Sequence, residues 1–102
     1  MSSSSGPVAV SPSTSSKTLQ ASNARRSGLL VFNTDTGSNL FLTYGPTSTT
    51  TLFTVRIQPG VYWEMPYGGD STEPLMPYDG IVSAIWDGTP TGGAMVTETQ
   101  ID

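Results

Sequence analysis

The sequence predicts an all-β fold, an antiparallel β-sandwich or small barrel of about seven strands with an extended N-terminal arm. Three observations carry this. Apolar residues recur at every second position in several segments, the mark of strands with one buried face. Turns rich in Gly and Pro divide the chain about every ten residues. No segment repeats its apolar residues at the helical period.

Taken in order, residues 1–16 are Ser-rich, with Pro7 and Pro12, and their apolar residues beyond Met1 are Val8, Ala9 and Val10. Such a segment buries too little surface to offset its own ordering entropy. It reads as an arm outside the core domain of residues 17–102, with residues 8–10 as a short strand added to a partner surface. The alternative is a tail wrapped on its own domain. Residues 17–24 form a first strand with Leu19 and Ala21 inward. Arg25 and Arg26 precede Gly28, and residues 29–32, Leu-Leu-Val-Phe, are apolar on both faces and read as a central strand.

Asp35-Thr36-Gly37 lies in a turn, and Leu40, Leu42 and Tyr44 alternate with Phe41 and Thr43. A Thr/Ser loop follows Gly45-Pro46. Residues 52–65 are the stretch around which the rest is arranged, with Phe53, Val55 and Ile57 on one face and Val61, Trp63 and Met65 resuming after Pro59-Gly60. Pro59 fixes φ and Gly60 accepts positive φ, which suits a type II turn. A tight hairpin there would put the two apolar sets on opposite faces, so a bulge or a corner between sheets is expected. Residues 66–78 read as a long exposed loop, 81–86 as a strand, 87–93 as a loop and 94–99 as the last strand.

The chain has 102 residues, no Cys and no His, 12% charged residues and a net charge of −4. One modest core is possible. Disulfides and thiolate metal sites are excluded, and so is the commonest general base. The acidic balance argues against nucleic acid as a partner. No apolar run is long enough to span a bilayer, so no membrane partner is expected. A surface this poor in charge is easily buried against a partner.

Little here suggests chemistry, and the chain is read as non-enzymatic, with no cofactor and no metal. Glu64 with Asp70, or Glu73 with Asp79, could form a glycosidase pair, but exposed acids in loops ordinarily serve solubility. Residues 70–73 and 87–89 could supply oxygen ligands to Ca²⁺, though neither has EF-hand spacing. The abundant Ser and Thr lack a His, and Lys17, the only lysine, follows the arm. Arg25 and Arg26 form the one cationic cluster. It either meets an acidic partner or protomer, or pairs with the chain's own acids. Trp63 and Trp86 read as core or subunit-interface residues.

Several motifs resemble those of small tailed-bacteriophage virion proteins. Residues 25–33, Arg-Arg-Ser-Gly-Leu-Leu-Val-Phe-Asn, are similar to their opening "RRGLLVYN". Residues 40–45 resemble "LYIKFG", and residues 54–66 resemble "TVRLAPGGYYELP". Residues 80–86 and 94–98 are similar to "GxISGIW" and "ARVTE". The likeness covers about residues 24–98 and leaves the arm outside.

What the resemblance implies is a capsid decoration (cement) protein. It would bind the major capsid protein on the virion exterior after synthesis in the host cytoplasm. It would form a homo-oligomer, a trimer seated where capsomers meet. The partner-binding residues expected are Pro7, Val8, Ala9 and Val10 of the arm, Arg25 and Arg26, and the loop residues Tyr67 and Tyr78. Deleting residues 1–16 is expected to leave a folded domain that no longer decorates shells. The alternative is a carbohydrate- or receptor-binding attachment module of a head fibre, tail or baseplate, using Tyr67 and Tyr78. An adaptor between virion parts is a third reading.

Overall fold

The computed structural model describes residues 2–65 and 78–101, with the backbone alone at 2–6 and 100–101. The described residues contain no helix. They form β1 (Ser2–Val10), β2 (Lys17–Gln20), β3 (Arg26–Asn33), β4 (Leu40–Tyr44), β5 (Val55–Ile57), β6 (Tyr62–Glu64), β7 (Val82–Trp86) and β8 (Ala94–Ile101). Two four-stranded sheets result, in the orders β1-β8-β3-β6 and β2-β7-β4-β5, and every pairing is antiparallel.

The pairs β1·β8, β2·β7, β3·β6 and β4·β5 are nested. The first four strands run out and the last four return beside them in reverse order. This double ribbon is rolled up and closed by β3·β8 and β4·β7, which makes an eight-stranded jelly roll. The two sheets pack into a β-sandwich, so the sandwich, rather than the barrel, is the form the fold takes. Only β4 and β5 are neighbours in both sequence and sheet; every other connection passes from one sheet to the other.

Inward alternation builds the core between the sheets. Leu29, Val31, Ala94 and Val96 come from one sheet, and Leu40, Leu42, Ile57, Val82, Ala84 and Trp86 from the other. Each large aliphatic side chain buried here contributes about 1.5–3 kcal/mol of transfer free energy. Met65 and Leu19 complete the cluster, with Trp63, Tyr44 and Val55 packed at its border.

Residues 58–61 are a corner. β5 lies in one sheet and β6 in the other, and the backbone N–H of Val61 donates to the carbonyl of Gln58 over 3.1 Å. Gly60 has φ 74°, as position three of a type II turn requires. Asn33 fixes the corner in place. Its Nδ2 donates to the carbonyls of Ile57 and Ser38, both at 2.9 Å, and its backbone exchanges hydrogen bonds with Gly60 and Val61. The 52–65 stretch therefore links the sheets at their edges. The hydrogen-bonded centres are β8, β3, β7 and β4. Phe53 and Val61 are exposed, because both lie just outside the paired residues.

The N-terminal segment is a strand of the sandwich in this chain. Its register runs from Ser2 opposite Ile101 to Val10 opposite Ala94, with a shift between Ser4 and Pro7. The partner that holds it is the chain's own β8.

Candidate interaction surfaces

Arg26 is buried, and a bulge puts it there. Opposite β8 the register shifts between Arg26 and Gly28. From Gly28 onward Leu29, Val31 and Asn33 point inward, while Leu30 and Phe32 point outward. Without the extra residue Arg26 would share the outward set; the bulge turns it inside. Glu98 points inward by simple alternation with Val96. The guanidinium Nε meets Glu98 Oε2 at 2.7 Å. Nη1 donates to the carbonyls of Tyr78 (2.8 Å) and Gly80 (3.0 Å), and Nη2 to that of Ala21 (2.6 Å). Asn23 Nδ2 engages the other carboxylate oxygen at 3.1 Å. This knot joins the β2–β3 turn, residues 78–80 and β8. Arg26 is thus unavailable to a partner, while Arg25 beside it is exposed.

A second polar knot sits on Asp35. Its carboxylate accepts from the backbone N–H groups of Gly37 (2.9 Å), Ser38 (2.5 Å), Thr91 (2.6 Å) and Gly92 (2.7 Å). These four donors, against a smaller opposing effect of burial, hold the carboxyl well below the usual carboxylate range. Asp35 therefore staples the β3–β4 connection to the β7–β8 connection. Asp87 closes the same end by accepting from Asn39 N (2.8 Å) and Nδ2 (3.0 Å). Sequence reasoning placed residues 35–37 in a turn without singling out Asp35. The signal was Asp-Thr-Gly after a buried strand; its partners at 91 and 92 are remote in the chain.

The other predicted site residues fall as follows. Pro7, Val8, Ala9 and Val10 lie on β1, the outer strand of its sheet; the first three are exposed and Val10 is half-buried. Among the described residues no strand pairs with the outer edge of β1. Tyr78 is half-buried. Its ring stacks on Tyr44 at 4.4 Å with 4° between planes, and its hydroxyl donates to the carbonyl of Ile81. One face of that ring is therefore already occupied. Trp63 is half-buried against Tyr44, and Trp86 is a core residue. Tyr67, and Asp70 and Glu73 of the carboxylate pairs and the 70–73 segment, lie outside the described residues.

Among the described residues there is no pocket and no group of three His, Cys, Asp or Glu placed to hold a metal. What they do offer is an open apolar sheet face. Ala9 stands opposite Met95, Met95 opposite Phe32, and Phe32 opposite Tyr62. All four belong to the outward set and all four are exposed. Leu30, two residues along β3, extends the row. Outward positions of an antiparallel sheet are ordinarily polar, so this row was missed by assuming that residues 29–32 are buried on both faces.

Compared with protein-family models, curated proteins and solved structures, the chain gives no match.

Proposed function

We propose that this chain is a structural protein of a phage virion, a decoration protein that binds the assembled major capsid protein from outside and reinforces the shell. The observation that carries the reading is the open edge of β1. It is a nine-residue strand without a charged side chain, and its outer backbone groups have no strand beside them among the described residues. Soluble domains usually guard such an edge with Lys, Pro, a bulge or a covering loop. Here Pro7 and the register shift between Ser4 and Pro7 interrupt the middle of the strand, and residues 8–10 follow them without a charge, a proline or a further shift. That uncharged stretch of residues 8–10 suits strand addition to another protein, with Val8 half in solvent at its start. The motif resemblance supports the same reading. Jelly rolls also recur in viral capsid domains, though that is an analogy of architecture. A cement protein works by many weak contacts made at once and has no need of a catalytic group. The lack of cysteine suits folding in a reducing cytoplasm before assembly.

The test is a count of copies on purified particles, by quantitative mass spectrometry against the major capsid protein. Hundreds of copies in a simple ratio to the shell protein are expected. A dozen or fewer would place the protein at a vertex, tail or connector and sink the decoration reading. Deleting residues 1–16 would be a poor second test, since it strips β1 from β8 and confounds grip with folding. Val8→Lys places a charge on the edge while leaving β1 in place. Val8 faces the same side as the core residue Val96 with half its surface in solvent, so the variant's melting temperature is read beside its binding, which is expected to weaken on the order of tenfold on undecorated shells. Unchanged saturation by that variant would remove the β1 edge from the contact.

A further inference from the structure

We infer that the outer face of the β1-β8-β3-β6 sheet is a docking surface for a second copy of this chain, packed face to face about a two-fold axis. This goes beyond the shell contact, which uses the edge of β1, and rests on different residues. Phe32, Met95 and Leu30 keep 39%, 38% and 37% of their surface in solvent, and Tyr62 keeps 64%. They belong to three strands held in register, and with Ala9 they make one continuous row across all four strands. Scattered apolar residues on a surface need no explanation, but a contiguous row on a sheet face does.

Charge selects the occupant. The chain carries eight acidic residues against four basic ones, so two copies repel over most of their surface. Along the outward positions of these strands (7, 9, 30, 32, 62, 64, 95 and 97) the only ionisable group is Glu64, apart from the Tyr62 phenol, which is neutral at ordinary pH. Here two acidic copies meet with a single carboxylate each. Glu64 lies on an edge strand and can stay in water. A strongly charged partner, by contrast, finds no complementary group to pair with. A second copy brings the same row with the same single carboxylate, and stacked sheets with interleaved side chains are how this chain already builds its own core. An interface that meets itself is isologous and closes as a dimer, not as the trimer the motif resemblance implies.

Area sets the strength. Four strands span roughly 19 Å, and two outward positions per strand run about 13 Å along them, so each copy offers on the order of 250 Å² in plan. Two copies then bury about 600 Å² once side-chain relief is counted, in the range of weak, transient encounters. The dimer is therefore weak in dilute solution and strengthens when copies are concentrated.

Sedimentation velocity on the full chain, from about 1 μM to about 1 mM, tests this. The wild type is expected to pass from monomer to dimer within that range. Phe32→Glu and Tyr62→Glu are each expected to move the transition at least about tenfold higher in concentration. Thr51→Glu adds the same charge in an exposed loop away from the face and should leave it unmoved. Far-UV circular dichroism checks folding; should Phe32→Glu unfold, Tyr62→Glu stands alone as the test, because its ring is largely in water. A wild type that stays monomeric throughout overturns the proposal. So do face variants that associate like wild type, a loss in Thr51→Glu equal to theirs, or a trimer in place of the dimer. Dimerisation of a protein absent from particles would remove the decoration reading and leave this one standing. A decorated shell and a strictly monomeric free chain would do the reverse.

Discussion

The two outer faces of the sandwich begin from the same alternation and end differently. On the β2-β7-β4-β5 sheet, the outward residues Phe41 and Ser83 are buried. Phe41 retains 7% exposure and lies beneath Phe53, whose ring meets it edge-on at 4.9 Å. Ser48 donates to the Phe41 carbonyl and meets Thr43 Oγ1, both at 2.8 Å, while its own N–H donates to Ser16. The β4–β5 connection, residues 45–54, thus folds back over its sheet. Ordinary hairpin loops need roughly two to five residues, so this one has chain to spare for covering a face. On the other sheet the outward row of Phe32 stays exposed. Alternation decides which side chains point out of a sheet; spare length in a neighbouring connection decides whether they meet water.

The largest effect should come from breaking the covered face. Phe41→Ala removes a buried aromatic and leaves a cavity beneath residues 45–54, a loss of about 3–5 kcal/mol in denaturant unfolding. Phe53→Ala, which removes the exposed cover alone, should cost much less. Equal losses at 41 and 53 would mean that the loop, not the sheet, holds the energy of that face.

Asp35 offers a smaller and pH-dependent break, because it ties together two connections that each run between the sheets. Its carboxyl titrates below its unfolded value, since four backbone donors favour the ionised form. The stabilisation is therefore complete above the unfolded pKa of about 3.9 and is lost as pH falls from there toward the folded value. Asp35→Asn should melt at lower temperature than wild type at pH 7, because its amide N–H₂ faces donors. The gap should narrow as pH falls below about 4. A gap that stayed constant down to pH 2 would show that the charge on Asp35 contributes nothing.

Much of this was legible in the chain. Seven strands and the type II turn at Pro59-Gly60 follow from alternation and turn chemistry, which are local; alternation also asked for a bulge or a corner there, and the sheet order makes it a corner. The eighth strand was legible only as a strand, since residues 8–10 do not reveal that β8 is their partner. Arg26 was less legible still. A one-residue bulge reverses its direction, and its acid lies 72 positions away. The exposure of Leu30 and Phe32 was misread for the opposite reason. A run apolar on both faces is central in hydrogen bonding here, yet bare on one side, and no local pattern separates a covered face from an open one.

The smallest effect should come from the open face itself. Phe32→Thr keeps a strand-favouring residue at a site already half in water, so transfer energy changes little. The cross-strand contacts to Met95 and Tyr62 are lost, each worth about 0.2–1 kcal/mol. The net loss in dilute solution should stay near or below about 1 kcal/mol, several-fold under that of Phe41→Ala. A larger loss would mean that Phe32 is covered in solution. Concentration then identifies the cover: a second copy stabilises by mass action, so the penalty of Phe32→Thr would grow with protein concentration and fade on dilution. A large penalty independent of concentration would mean that the two faces are equally buried, and the contrast between them would be gone.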